Sequence, residues 1–360
     1  MNSLPAPASL TELVEVVRSY PQLLAIGAGT KPRLTQVSAA KVSLSRLRGI
    51  VEYEPSEFTF TALAGTPVGE LAQTLAARGQ YLPFDPLLVD SGATLGGTVA
   101  SGVSGPGRLR FGGLRDFILG AQFVDGLGRI LRVGGKVVKN AAGFDLPKFF
   151  VGSLGRFGVL TELTFKVFPV ASSTLTLKLV ARNVEAAAQM LTEAARGRWE
   201  VQALDIPPGA CHVCARLAGP APALQEISRD ILAKWPGETL SAAEEQRVWS
   251  DLREFRWAYP EGPLLKVVLT PAALPAVHRE LHSLEGIRMH VSVGGNVAFL
   301  SLPASSQTSV LAELLRRQCL PGLTLRGAGP LWWGPQPQSS IAPAVKKALD
   351  PQNRFPGLNE

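Results

Sequence analysis

Between Tyr81 and Pro169 the chain carries glycines in a fixed order at the ends of apolar runs, and few folds accommodate that arrangement. The stretch reads YLPFDP, then SGATLGGTVASGVSGPGR, then GGLRDFILGAQFVDGLGRILRVGGKVVKNAAGFD, and closes on VGSLGRFGVLTELTFKVFP. Gly96, Gly97, Gly102 and Gly105 surround the apolar segment 98–103, and Gly152, Gly155 and Gly158 come just before an alternating strand, Val159 to Phe168. Glycine permits positive φ and lets backbone amides approach a ligand closely. A succession of free amides in a concave turn is an anion site, well suited to a pyrophosphate. Taken singly, each glycine reads as well as a tight turn in a β-rich domain. The ordered series points to a ligand.

The rest of the chain reads as mixed α and β. Ser9 with Glu12 forms a capping-box pair, and Leu10, Leu13, Val14 and Val17 share one helical face. The strand Leu23 to Ile26 then runs straight into GAGTK, Gly27 to Lys31, a second phosphate-sized turn. Strands follow at Gly49 to Tyr53 and Phe58 to Ala64, then a helix with Thr66 as N-cap, Pro67 at its first position and Gly79 past its end. Ile118 to Val124 and Ile130 to Val133 flank DGLG and form a hairpin. A dinucleotide-binding Rossmann unit needs G-x-G-x-x-G after its first strand, and GAGTKP breaks that pattern.

Past Pro169, glycine thins out and strands alternate with amphipathic helices. The strands are Thr174 to Val180, Val201 to Ile206, Cys211 to Leu217, Leu264 to Leu269, strands within Ile287 to Leu302, and Leu323 to Gly327. The helices are one capped by Asn183, then Ala223 to Trp235, Ala272 to Glu285 and Ser309 to Cys319. This doubled α+β pattern predicts one antiparallel sheet with helices on one face. The segment Gly237 to Pro260 carries no assignment, and a short helix is expected around Ala344 to Leu349. The domain boundaries expected are 1–170, 171–330 and a returning tail, 331–360.

The 360 residues are 46% apolar and 18% charged, enough for sizeable cores and against wholesale disorder. The net charge is +7, and between Gly105 and Arg156 nine Lys or Arg face three Asp and no Glu. That local excess suits a polyanionic cofactor. Few aromatics and no reading motif argue against nucleic acid. Three cysteines make no disulfide framework and fit a reducing compartment. The N-terminus lacks the pattern of a secretory signal, and no apolar run is long enough to span a bilayer. The expected location is cytoplasmic, with any membrane association made through partners.

These landmarks resemble the flavoproteins with the vanillyl-alcohol-oxidase, or PCMH-type, FAD-binding domain. IGAGTK is similar to that family's first pyrophosphate loop, and LPFDP, ATLGGTVASG, KNAAGFDLPKFFVGSLGRFGVLTELTFKV and the terminal KKALDPQNRFPG follow in the family's order. SGPGR, KNAAGFD and LWWGPQP make the chain similar to the accessory flavin subunits of glycolate-oxidase complexes. The resemblance implies an α+β fold: a two-subdomain FAD domain plus an antiparallel-sheet-and-helix cap. It implies that Gly27, Gly29, Thr30 and Lys31 bind one side of the FAD pyrophosphate. Asp85, Thr94, Gly96, Gly97, Ser101 and Gly102 would line the other side and the flavin edge, and Gly158 and Val159 would meet the cofactor through their backbones.

GVSGPGR offers no histidine for a covalent flavin bond, so non-covalent FAD is expected. The partners implied are a catalytic FAD subunit and an iron–sulfur subunit, and the substrate a small 2-hydroxy acid. Relatives that oxidise such acids carry a His-rich metal motif with Gly-Asp-Gly-Asn. Here MHVSVGGNVAF keeps only His290 and Asn296. No catalytic acid or base is assigned. Two alternatives stand: a free-standing FAD dehydrogenase using its arginines and His290, and a docking subunit with a vestigial flavin site.

No metal site is expected. His278 and His282 lie on the flank of a helix whose buried stripe is Leu274, Val277, Leu281 and Leu284. Cys211 and Cys214 point to opposite faces of a strand, and no second pair follows at zinc spacing. Arg108, Arg110 and Arg115 suit a carboxylate, solvent or a partner surface equally. Lys139 and Asn140 either position the flavin loop or make a turn.

Overall fold

The computed structural model describes residues 4–135, 145–282, 284–304, 307–336 and 340–360. The chain forms two units. The first comprises Met1–Ser104, Gly113–Val170 and Pro337–Glu360, and the second comprises Gly105–Gly112 and Ala171–Gln336.

The first unit is built on a five-stranded antiparallel sheet in the order Ile50–Glu54, Thr59–Leu63, Val159–Lys166, Ile118–Val124, Ile130–Gly134. The hairpin closes as its sequence predicts. Asp125 Oδ1 accepts the Leu127 and Arg129 amides at 2.9 and 2.8 Å, the local side-chain bonding that favours aspartate in turns. Phenylalanines fill one face of this sheet: Phe60 stacks on Phe165 at 5.9 Å, Phe84 lies against both Phe117 and Phe165, and Phe123 meets Phe150 at 4.5 Å. Leu23–Ile26 pairs in parallel with Ala40–Ser43 in a separate small sheet.

Helix Leu10–Ser19 starts at Ser9, whose hydroxyl accepts the Glu12 amide. The next helix, Val68–Ala76, departs from expectation: Pro67 is its N-cap, and the Thr66 hydroxyl instead bonds the Gly49 backbone. The apolar segment between the glycines is a helix, Leu95–Ser101, capped by Thr94 and ended by left-handed Gly102.

In the second unit a four-stranded sheet has the order Ala203–Asp205, His212–Gly219, Ser173–Val180, Gly237–Thr239. A five-stranded sheet has the order Arg288–Ser292, Val297–Ser301, Leu264–Val268, Gly322–Arg326, Trp332–Trp333. A reciprocal pair of bonds between Ile206 and Val291, 2.7 and 3.0 Å, joins the sheets edge to edge. Helices Val184–Arg196, Ala221–Lys234, Leu274–Leu281 and Thr308–Arg317 cover one face and share one apolar core with it. The expectation of one antiparallel sheet with helices on one face needs correction on both counts: the strands form two sheets linked by the Ile206–Val291 bridge, and a helix packs on the other face. The unassigned stretch holds the helix Ala242–Glu254, opened by a Ser241–Glu244 capping box, and its Trp249 and Leu252 pack on Ala203 and Cys214 across the sheet. Trp249 also donates to the Thr176 hydroxyl at 2.9 Å.

No helix among the described residues is long and apolar enough to cross a membrane. Phe123 is fully buried, and Phe123→Ala is expected to cost about 3–5 kcal/mol. A urea midpoint showing less than about 1 kcal/mol of loss would mean that this part of the core collapses freely around the gap.

Candidate functional site

A cleft with a cavity volume of about 80 Å³ opens in the first unit. Three pieces of chain wall it: 24–31 with Leu34 and Thr35, the helix start and inner face at Thr94, Gly97, Ala100 and Ser101, and the turn Leu154–Gly155. The first wall forms because an apolar strand delivers its end into a turn that only glycine accepts easily. Gly29 has φ of +70°, and a Cβ there would meet nothing within 4 Å, so backbone conformation rather than crowding demands the glycine. Among the described residues the amides of Ala28, Gly29 and Thr30 make no backbone hydrogen bond. Lys31 brings a buried cation to the same wall.

The second wall touches the first. A Cβ on Gly27 would lie 2.1 Å from Thr94 Oγ1, the atom that accepts the Gly97 amide at 3.3 Å. At Gly97 a Cβ would meet only that hydroxyl, at 3.1 Å, and its remaining neighbourhood is the cleft. Gly27, Gly29, Thr30, Lys31, Thr94, Gly97 and Ser101 therefore converge on one space.

The other five expected residues do not line the cleft. The Gly96 amide donates to the Ala64 carbonyl at 2.7 Å, and Gly102 ends the helix against Gly152. Gly158 packs on Phe123, where a Cβ would come within 2.9 Å, and Val159 pairs with Val124 in the sheet. Asp85 is buried, with φ of 47°. Lys139 and Asn140 lie outside the described residues. Sequence reading missed Ala100, Leu154 and Gly155 as wall residues. Gly155, at φ of +72°, was visible as a turn glycine but carried no sign of what it faces.

None of the seven described basic residues between Gly105 and Arg156 lines the cleft. Arg129, Arg132, Lys148 and Arg110 pair with Asp125, Glu162, Asp145 and Glu200. Arg156 lies just behind the Leu154–Gly155 wall, where burial draws its guanidinium down from the usual arginine value. Glu360 opposes that shift, and Arg33 adds to it.

The second unit holds a separate polar group. Lys266 interrupts the apolar strand Leu264–Val268, and burial first, then the charge of Arg108, pushes its ammonium down to about 8. Among the described residues neither cation forms an ion pair. His290 is buried, bonded to Asp205 at 2.7 Å and flanked by Phe299 and Trp257; its Nδ1 has no partner among the described residues. His278 and His282 are exposed on their helix, Cys214 is buried and Cys211 exposed. Because the folded value of Lys266 lies below the ordinary 10.5, the unfolded chain keeps this proton longer. Stability is therefore expected to rise with pH from about 8 upward. Lys266→Met should flatten that rise in urea midpoints taken on either side of about pH 8, and an unchanged slope would place the shift elsewhere.

A family model described as an FAD binding domain matches residues 4–134. The glycolate oxidase subunit GlcE of Escherichia coli (strain K12) is 34% identical over 252 residues, 69% of this chain and 68% of that protein. The glycolate oxidase subunit GlcD of Bacillus subtilis (strain 168) is 33% identical, and a D-lactate dehydrogenase of Anaerostipes hadrus 32%. Each match covers 40% of this chain and 30% of the relative's length. Among solved structures, an alkyldihydroxyacetonephosphate synthase shares the fold with a TM-score of 0.71 at 16% identity, over 97% of this chain and 75% of that one.

Proposed function

The chain belongs to the FAD-binding flavoprotein family that contains the glycolate oxidase subunit GlcE and is an FAD-dependent oxidoreductase, and on that premise we propose that it is the flavin-bearing accessory subunit of a complex oxidising small 2-hydroxy acids. The observation that carries the reading is the convergence of Gly27–Lys31 and Thr94–Ser101 on one cleft. There the amides of Ala28, Gly29 and Thr30 are free to take anionic oxygens, and Lys31 adds a point charge, as a pyrophosphate requires. Gly97 and Ala100 keep that wall flat enough for a cofactor to lie against it. Gly96 and Gly102 fix the two ends of the helix that forms one wall, and FAD is held non-covalently. When bound, FAD takes two electrons from a donor and passes them on.

The accessory assignment is supported by His290, which is enclosed by Asp205, Phe299 and Trp257 rather than free to move a substrate proton. The partners proposed are a catalytic FAD subunit and an iron–sulfur subunit. A second reading, a free-standing dehydrogenase of glycolate or D-lactate, has one observation in its favour. Lys266 and Arg108 set two positive charges near each other, a pairing that suits a substrate carboxylate.

The purified chain is expected to show flavin absorption bands that stay oxidised with anaerobic glycolate and bleach with dithionite. Bleaching by glycolate or D-lactate alone promotes the free-standing enzyme, and an absence of bands even after soaking with FAD sinks both readings. Gly97→Leu is expected to abolish FAD binding while leaving the far-ultraviolet circular dichroism unchanged, because its side chain has only the cleft to occupy. Retention of stoichiometric FAD by that variant would move the cofactor off this wall.

A further inference from the structure

The third wall of the cleft, Leu154–Gly155, belongs to no helix or strand. Both residues are left-handed, with φ of 51° and 72°, and the Leu154 amide donates to the Ala100 carbonyl at 2.9 Å. Two successive left-handed residues, one of them leucine, persist only where the surroundings impose them.

The surroundings come from the far end of the sequence. Arg156 is buried, and its guanidinium reaches back to the Leu154 carbonyl at 3.2 Å and across to the main-chain oxygen of Glu360. The carbonyl of Arg156 accepts the Lys346 ammonium at 2.7 Å. That ammonium, on the helix Ile341–Leu349, also holds Asp350 Oδ2 at 2.7 Å and the carbonyls of Phe355 and Pro356 at 2.9 and 3.1 Å. Asp350 in turn accepts the amides of Arg354 and Phe355 at 2.8 and 3.0 Å. Phe355 is buried, and the Arg354 carbonyl accepts the amide of Leu23, the first residue of the strand that feeds the opposite wall. One ammonium thus ties the turn behind one wall to a segment that is also bonded to the other.

We infer that Lys346 and Asp350 are positioning residues for the cofactor cleft, and that docking of the 341–360 segment sets how long FAD stays bound. Neither side chain lines the cleft; they act through Arg156 and the Leu154–Gly155 turn. The inference rests on the cleft being the FAD site. Replacing Lys346 leaves three main-chain carbonyls and a carboxylate without their shared donor, so the turn loses the contact that fixes it.

The test measures the rate of FAD release, read from the rise in flavin fluorescence on dilution of the holoprotein, together with the unfolding midpoint of the apoprotein. Lys346→Met is expected to speed release at least tenfold, while Lys347→Met, on the exposed side of the same helix, leaves it at the wild-type rate. Arg156→Lys keeps the charge and the hub but loses the reach to Leu154, and is expected to speed release as well. It carries the test if Lys346→Met does not fold. Wild-type release from folded variants with lowered midpoints would overturn the inference and leave the hub a stabilising stitch. A wild-type protein that binds no FAD would overturn the cofactor reading itself, a result distinguishable from the first because it appears before any variant is made.

Discussion

The first unit depends on how closely the helix Leu95–Ser101 approaches the chain around it. Its start is pinned where the Gly96 amide meets the Ala64 carbonyl at 2.7 Å, with no room for a side chain between them. On its other side Thr94 lies so near Gly27 that a single Cβ would force the loop away. The helix end is fixed by Gly102 against Gly152, which brings the Leu154–Gly155 turn into place. Three of the four contacts are possible only without a Cβ, and the fourth, Leu154 on Ala100, follows from them. The cleft is the space left when these approaches are satisfied, so its walls come from backbone packing more than from side chains.

The second unit works by a different rule. Its two joined sheets bury an apolar face under four helices, and that face accounts for most of the core. The other face carries polar groups among aromatic rings: Lys266, His290 with Asp205, and Arg216 over the Trp249 ring at 4.8 Å. Burying such groups costs free energy unless each is paired, and Lys266 carries the cost as a lowered proton affinity. A strand that needed only stability would put an apolar residue at its centre.

Much of the architecture was legible in the sequence because its signals are local. Ser9 and Asn183 announce their helices by bonding the third residue on, and Asp125 announces its turn by accepting the amides of the second and fourth residues on. The Ser241–Glu244 box is as clear a signal, yet the helix it opens buries a narrow stripe, Trp249 and Leu252, and offered little periodicity to support it. Thr66 shows the converse failure: a good capping residue before a proline whose hydroxyl is taken by Gly49, seventeen positions away. The glycines were legible as a set and not as individuals. Gly97 faces a cleft and Gly96 faces Ala64, and nothing local separates two adjacent glycines whose difference is tertiary.

The charges carry the same lesson. A dense run of Lys and Arg beside a glycine-rich loop reads as an anion footprint, but most of those described are occupied elsewhere. Arg129, Arg132 and Lys148 are paired with carboxylates, of which only the Lys148–Asp145 pair is exposed on both sides and worth about 0–1 kcal/mol, and Arg156 is bound to main-chain oxygens. The cation on the cleft wall is Lys31, a single residue in a different segment. Unbonded amides are fixed dipoles that need no counter-ion and no long side chain to order, so a pyrophosphate can be met with little formal charge. A site built that way is specified by main-chain geometry, and a cation far along the sequence, Lys346, whose ammonium binds main-chain carbonyls and one carboxylate beside the Phe355 ring, is positioned to act on that geometry through the backbone.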